Sequence, residues 1–233
     1  MKKILGILGG MGPGAAIGFQ KQILHLTAAN CDQEHLHVIT NNNPHIPNRI
    51  HAISAGKEAV GAVCDALQDS LDLLINAGAT CIAMPCVTAH YFKPYLTCPA
   101  HVTFLDAIEI VTKVCKTLYP DKVAGLLSSN GTNNSGILKK AFTAENLKHI
   151  SPDEVISQRK LMNLISGIKS GEDPAKMGRE LCCIAEKMQE AGADYFVLGC
   201  TELPIMVTHS DFFFPYVDAA LELAKAAVDH FSN

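Results

Sequence analysis

The sequence predicts an α/β fold built twice: two pseudo-symmetric three-layer α/β domains, each around a mostly parallel four-stranded sheet. Three observations carry this expectation. The run Ala77-Gly78-Ala79-Thr80-Cys81-Ile82-Ala83-Met84-Pro85-Cys86-Val87-Thr88 and the run Ala191-Gly192-Ala193-Asp194-Tyr195-Phe196-Val197-Leu198-Gly199-Cys200-Thr201-Glu202 share one pattern. In each, a helix ending is followed by a short apolar strand with a cysteine at its exit. The starts of the two halves also align: Lys3-Ile4-Leu5-Gly6-Ile7-Leu8-Gly9 matches Lys122-Val123-Ala124-Gly125-Leu126-Leu127-Ser128, 119 residues further on, while 114 residues separate the two cysteines. Nearly equal offsets at both landmarks argue for an internal duplication, and so long a period means two domains, not a solenoid. Finally, apolar runs alternate with helical patterns along the chain, the signature of parallel sheets covered on both faces.

Taken in order, residues 3–8 read as a buried strand, 9–14 as a tight glycine loop and 15–30 as a helix with apolar spacing. A second strand over 35–40 leads into the polar loop Asn41-Asn42-Asn43-Pro44-His45-Ile46-Pro47-Asn48-Arg49. A long helix over 59–77, a strand over 80–84, a helix from Thr88, a strand over 101–105 and a helix over 108–118 follow. The second half opens with a strand over 123–127. Helices over 136–142, 158–170 and 176–191, a strand over 195–198, the run Phe212-Phe213-Phe214-Pro215 and a last helix over 218–231 complete it. With no low-complexity linker, the division expected is 1–100 plus 211–233 for the first domain, completed by the C-terminal helix, and 101–210 for the second.

Composition narrows the function. A chain of 233 residues, 48% hydrophobic and 18% charged, is globular and long enough for real cores. With 19 basic against 23 acidic residues, no basic run and no Trp, there is no electrostatic footprint for nucleic acid. No stretch approaches the roughly 18 apolar residues of a membrane span, and the six residues between Lys3 and Gly10 are too short for a signal core. The expected location is therefore the cytoplasm, with the nine cysteines reduced. A structural metal is not expected, since there is no CxxC and Cys182 and Cys183 are adjacent.

Three motifs carry chemistry. Gly10-Met11-Gly12-Pro13-Gly14-Ala15 is a weak match to a dinucleotide fingerprint, but Asn41-Asn42-Asn43 stands where a ribose-binding acid would be needed. The loop reads better as an anion cradle at a helix N-terminus, with a plain tight turn as the bland alternative. Arg49, at the end of a loop stiffened by Pro44 and Pro47, suits a carboxylate, or else a surface ion pair. Any one cysteine is more often a core thiol than a catalyst. Cys86 and Cys200 differ from the rest in sitting at matched strand tips, each followed by a threonine nearby, where a following helix end lowers a thiol's pKa.

Gly9-Gly10-Met11-Gly12-Pro13, Pro85-Cys86-Val87-Thr88-Ala89-His90 and Gly199-Cys200-Thr201-Glu202-Leu203-Pro204 strongly resemble the aspartate racemase branch of the aspartate/glutamate racemase superfamily. The resemblance spans essentially the whole chain. It implies cofactor-independent racemisation of an amino acid, a site in the cleft between two pseudo-symmetric domains, and a homodimer. It also implies Cys86 and Cys200 as the catalytic pair, with Met11, Gly12, Arg49, Val87, Thr88, Ser129, Thr132, Lys169, Thr201 and Glu202 around an amino-acid or dicarboxylate substrate. One position departs: Val87 stands where relatives commonly have asparagine.

The chemistry requires a base on one face of the α-carbon and an acid on the other. A free thiol with a pKa near 8.5 is only a few per cent thiolate at pH 7, so one thiol must be activated while the other stays protonated. His90 and Glu202 are placed to tune the thiols or assist proton transfer, or else to hold the site's frame. Competing readings are a decarboxylase, cis-trans isomerase or hydantoin racemase of the same superfamily, and a non-catalytic module that binds a carboxylated metabolite.

Overall fold

The computed structural model describes residues 3–152 and 158–232 and divides the chain into two compact units, Met1–Ile110 with Ala220–Asn233, and Val111–Ala219. In the first unit the strands β1 (Ile4–Gly9), β2 (His37–Asn42), β3 (Cys81–Ala83) and β4 (Thr103–Phe104) form one sheet in the order β2-β1-β3-β4. Every pairing is parallel, with Ile4 opposite His37 and Leu5 opposite Cys81. Helices α1 (Pro13–Leu26), α2 (Arg49–Ala55) and α3 (Lys57–Asn76) connect the strands, and a 3-10 helix, Val87–Tyr95, follows β3.

Because successive side chains of a strand point to opposite faces, this sheet buries two cores. Leu8 and Ile82 pack with Val63, Leu67, Leu71 and Leu74 of α3. Leu5, Ile7, Cys81 and Ala83 pack on the other face with Ala16, Phe19 and Ile23 of α1. Leu223, Ala224 and Ala227, near the C-terminus, join this second cluster, and Lys3 Nζ donates to the Phe231 carbonyl at 2.9 Å.

The second unit repeats the plan. Strands β5 (Ala124–Ser128), β6 (His149–Ile150), β7 (Tyr195–Gly199) and β8 (Tyr216–Asp218) are parallel in the order β6-β5-β7-β8, the same order as the first sheet. The chain enters this unit within helix α4 (Ala107–Leu118) and continues through α5 (Asn130–Ser135), α6 (Ile137–Ala144), α7 (Gln158–Lys169), α8 (Pro174–Glu190) and α9 (Leu203–Thr208). It returns to the first unit at the start of α10 (Ala219–Ser232). Leu127, Phe196 and Leu198 pack against Leu161, Leu164 and Ile165 of α7 and Leu181, Ile184 and Met188 of α8.

The sheets thus match the expected fold class, and several local readings are corrected. Arg49 does not close a loop; it opens α2, whose N-cap Asn48 accepts the His51 N–H at 3.1 Å. The helix expected from Thr88 is 3-10, and Pro94 inside it has no N–H to give a longer α-helix. The units are divided at Ile110 and Ala219, not at 100 and 210, since β4 pairs with β3 and β8 with β7. Among the described residues no helix is long and apolar enough to cross a membrane, and no group of three or more His, Cys, Asp or Glu is placed to hold a metal ion.

Candidate functional site

In each unit the sequence-predicted residues collect where strands end. In the first, β1 runs out into the Gly9–Gly12 loop. Gly10 has φ +96°, and a Cβ there would lie 2.0 Å from the Asn43 carbonyl oxygen, so only glycine allows this approach. Asn42 ties the start of α1 to the end of β2 by donating its side-chain N–H to the Pro13 carbonyl at 3.2 Å, while its buried Oδ1 has no partner among the described residues. The triplet Asn41-Asn42-Asn43, noted in the sequence only as the place of a missing acid, is therefore part of the loop's frame. Gly12 caps α1 with no side-chain bond, and no acidic residue occupies the first turn, which leaves that turn's amides open to an anion. The Met11 side chain is buried in the α3-side core, so at this loop it can offer a ligand only its backbone.

Arg49 donates through one guanidinium nitrogen to the carbonyls of Ile46 and Pro47, both at 3.1 Å. It makes no ion pair among the described residues. Cys86 is half-buried at the start of the 3-10 helix, followed by the buried Val87 and Thr88. His90 is pinned behind it. Its Nδ1–H donates to the Cys86 carbonyl at 3.0 Å and its Nε2 accepts the Ala107 N–H at 3.1 Å, which requires the neutral ring. Burial, the largest influence, pushes the His90 pKa down. His90 is thus no mobile proton carrier. It couples the exit of β3 to the start of α4, where Asp106 accepts the N–H groups of Ile108 and Glu109 and pairs with Lys93 at 2.7 Å. Burial raises the Asp106 pKa, but these partners outweigh it and the net shift is downward.

In the second unit β5 ends at Ser128, whose carbonyl accepts Gln158 Nε2–H at 2.7 Å. Ser129 caps α5, its Oγ accepting the Thr132 N–H at 3.4 Å, and both residues are buried. Cys200 follows β7. The same bond closes the turn after each cysteine: the Ala89 N–H donates to the Cys86 carbonyl at 3.0 Å and the Leu203 N–H to the Cys200 carbonyl at 3.1 Å. Here, however, the thiol itself is engaged. Cys200 Sγ–H donates to Glu202 Oε2 at 3.0 Å, Thr201 Oγ1 donates to the same oxygen at 3.2 Å, and Lys169 Nζ lies 3.5 Å from Glu202 Oε1. Burial, then the Glu202 charge, pushes the Cys200 thiol well above its ordinary range, with Lys169 opposing. The direction at Cys200 is therefore upward, opposite to the lowering expected of a thiol before a helix, with desolvation the largest cause and the adjacent carboxylate the next.

Comparison with known proteins agrees with this duplicated architecture. The profile of Asp/Glu/hydantoin racemases matches residues 8–227. A broad specificity amino-acid racemase of Bacillus subtilis is 25% identical, over 97% of this chain and 96% of its own length. Among solved structures, an aspartate racemase from Picrophilus torridus superposes with a TM-score of 0.82 and 28% identity, covering 99% of this chain and 94% of that one. An aspartate racemase homologue from Pyrococcus horikoshii superposes with a TM-score of 0.74 over the whole of both chains, at 19% identity, a likeness of fold alone.

Proposed function

The chain belongs to the Asp/Glu/hydantoin racemase family, and on that footing we propose that it racemises an amino acid, aspartate foremost, without a cofactor, using Cys86 and Cys200 as its two proton-transfer groups. The observation that carries this reading is the matched placement of the two thiols. Each leaves the third strand of a sheet with the same order, each is half-buried where Cys81 and Cys115 are fully buried, and each begins a turn closed by the same backbone bond.

Inversion needs one thiol to take the α-proton from one face and the other to return a proton to the opposite face. Cys200 enters the reaction protonated, so the base's part falls first to Cys86. As the Cα–H bond breaks, negative charge grows on the substrate carboxylate, and preorganised donors stabilise it. The amides of the Gly10–Gly12 loop and the hydroxyls of Thr88 and Thr201 supply these, with Ser129 and Thr132 capping the helix that follows β5. Arg49 and Lys169 receive the substrate's carboxylates.

The valine at position 87 favours a second reading, a wider substrate range with less reliance on an acidic side chain. The test is a chiral screen of the amino acids in D₂O that follows inversion and α-deuteration together. Inversion of aspartate with solvent deuterium in the product supports the proposal. Binding of carboxylated metabolites with neither exchange nor inversion would reduce the chain to a binding module.

A further inference from the structure

Resting on that reading, we infer that Ser70 of α3 is a positioning residue for the reaction: through Asn41 and Asn43 it sets where the Gly10–Gly12 loop presents its amides to the substrate. The starting point is a polar residue in an apolar stripe. Helix α3 turns Val63, Leu67, Leu71 and Leu74 into the core, and Ser70 shares that face at 2% exposure. A buried hydroxyl costs free energy unless it is hydrogen-bonded, and two side chains from the end of β2 meet this residue. Asn43 Nδ2–H donates to Ser70 Oγ at 3.1 Å, and Asn41 Nδ2–H donates to the Ser70 carbonyl at 3.3 Å.

Successive side chains leave a strand on opposite faces, so Asn41 and Asn43 reach α3 while Asn42, between them, turns to α1 and donates to the Pro13 carbonyl. Strands β1 and β2 stay paired to their last residues, with Gly9 opposite Asn42. The next two residues touch: a Cβ on Gly10 would lie 2.0 Å from the Asn43 carbonyl oxygen and 2.7 Å from the Asn43 nitrogen. Asn43 Oδ1 accepts the His45 N–H at 3.0 Å, which orients the side-chain amide for its bond to Ser70. The Asn43 backbone is thus the wall against which Gly10 rests, and Ser70 holds that wall from the core side. Without Ser70 Oγ, Asn43 is free to move and Gly10 moves with it. The loop's donors must be aimed before charge grows on the carboxylate, and a misplacement of about 1 Å is enough to spoil them.

The test compares Ser70→Ala, Asn43→Ala, the double variant and Leu74→Val in the full-length protein. The readouts are steady-state kinetics on aspartate and the amide peaks of Gly10 and Gly12 in two-dimensional proton–nitrogen NMR. Leu74 lies in the same stripe but beside Gly6, within β1 and not at its exit, so Leu74→Val loses core packing without touching the link. In Ser70→Ala kcat should fall about tenfold while KM changes by less than about threefold, because the loop amides tighten as charge develops. Asn43→Ala should do the same, and the double variant should be no slower than the slower single one, since both changes remove one link. The Gly10 and Gly12 peaks should move in these three variants and stay in place in Leu74→Val. Should Ser70→Ala not fold, Ser70→Cys, close to it in shape but a much weaker acceptor, takes its place. An unchanged kcat with the peaks in place, single effects that multiply in the double variant, or an equal loss of kcat in Leu74→Val overturns the inference. The racemase reading fails separately: a parent protein that racemises no amino acid, with peaks that move in Ser70→Ala and Asn43→Ala and not in Leu74→Val, keeps the link from α3 to the loop and removes its proposed use.

Discussion

Cys86 and Cys200 leave equivalent strands and start turns closed by the same backbone bond, yet the next few residues give them different neighbours. After Cys86 come Val87, Thr88 and a histidine whose two ring nitrogens are both engaged by main-chain groups. After Cys200 come Thr201 and Glu202, and the carboxylate reaches back to the sulfur. Two matched strand exits thus carry thiols followed by contacts of different chemistry: main-chain groups around His90 after one, a carboxylate on the sulfur after the other.

The sharpest way to break this comparison is to remove each thiol alone. Cys86→Ala and Cys200→Ala should each lower racemisation by a factor of about 10² to 10⁴ or more, the usual weight of a positioned acid or base, with melting temperatures close to the parent's. The two should fail differently in D₂O. With Cys86 still present, Cys200→Ala should wash the α-proton out of one enantiomer without inverting it. Cys86→Ala retains the thiol that holds its proton, so exchange should be absent near neutral pH and emerge only as pH rises. Equal exchange by both variants at neutral pH would mean that the thiols are equivalent after all.

His90 offers a smaller test, confined to the first unit. Its pKa in the folded chain lies below the ordinary value of 6.5, chiefly through burial. As pH falls below about 6.5 the unfolded chain takes up a proton that the folded chain refuses, so the stability tied to His90 is full above that pH and is lost on acidification. His90→Ala should cost about 1–3 kcal/mol at pH 7.5 by removing the acceptor of the buried Ala107 N–H, while the Cys86 carbonyl keeps the Ala89 N–H. It should also flatten the decline of melting temperature between pH 7 and 5, with the loss of amide protection confined to residues of the first unit. An unchanged pH slope would show that His90 is not the acid-sensitive bond at that strand exit.

What could be read beforehand follows the length and polarity of each element. The apolar runs over 3–8, 80–84, 123–127 and 195–198 fill sheet cores, and each became a strand because a continuous apolar segment has few other places to go. The elements that escaped are short or held by caps. Helix α5 is Asn130-Gly131-Thr132-Asn133-Asn134-Ser135, without apolar periodicity, and exists because Ser129 caps its start and Gly136 closes it in the left-handed region. Helix α2 follows Asn48, a cap signal visible in the sequence but hidden among loop residues. β6 and β8 have two and three residues, too few for any pattern, and are strands only because a longer neighbour pairs with them. At the site, the spacing picked out both cysteines as candidates. It could not reveal that Glu202 turns back onto Cys200, nor that Lys169, 33 positions before Glu202, lies beside it, because both depend on how the turn and α7 pack.

The smallest effect concerns Val87, which is buried at the first position of the 3-10 helix yet belongs to none of the hydrophobic clusters described above. Its counterpart by sequence position is Thr201, a residue with a hydroxyl, so the comparison sets an apolar side chain after one thiol against a polar one after the other. If Val87 borders the substrate, the first unit offers one polar contact fewer than relatives with asparagine there, and the wall beside Cys86 tolerates less polar side chains. One added hydrogen bond is worth roughly 0.5–1.5 kcal/mol, so Val87→Asn should raise kcat/KM for aspartate by about two- to tenfold. Turnover of uncharged amino acids should fall or stay level, since the new amide must be desolvated without reward when the substrate brings no partner for it. Steady-state kinetics on aspartate and on one aliphatic amino acid, in the parent and the variant, give the ratio directly. A ratio that does not move toward aspartate would place Val87 in the frame of the 3-10 helix, and the difference between the two turns would then rest on Glu202 alone.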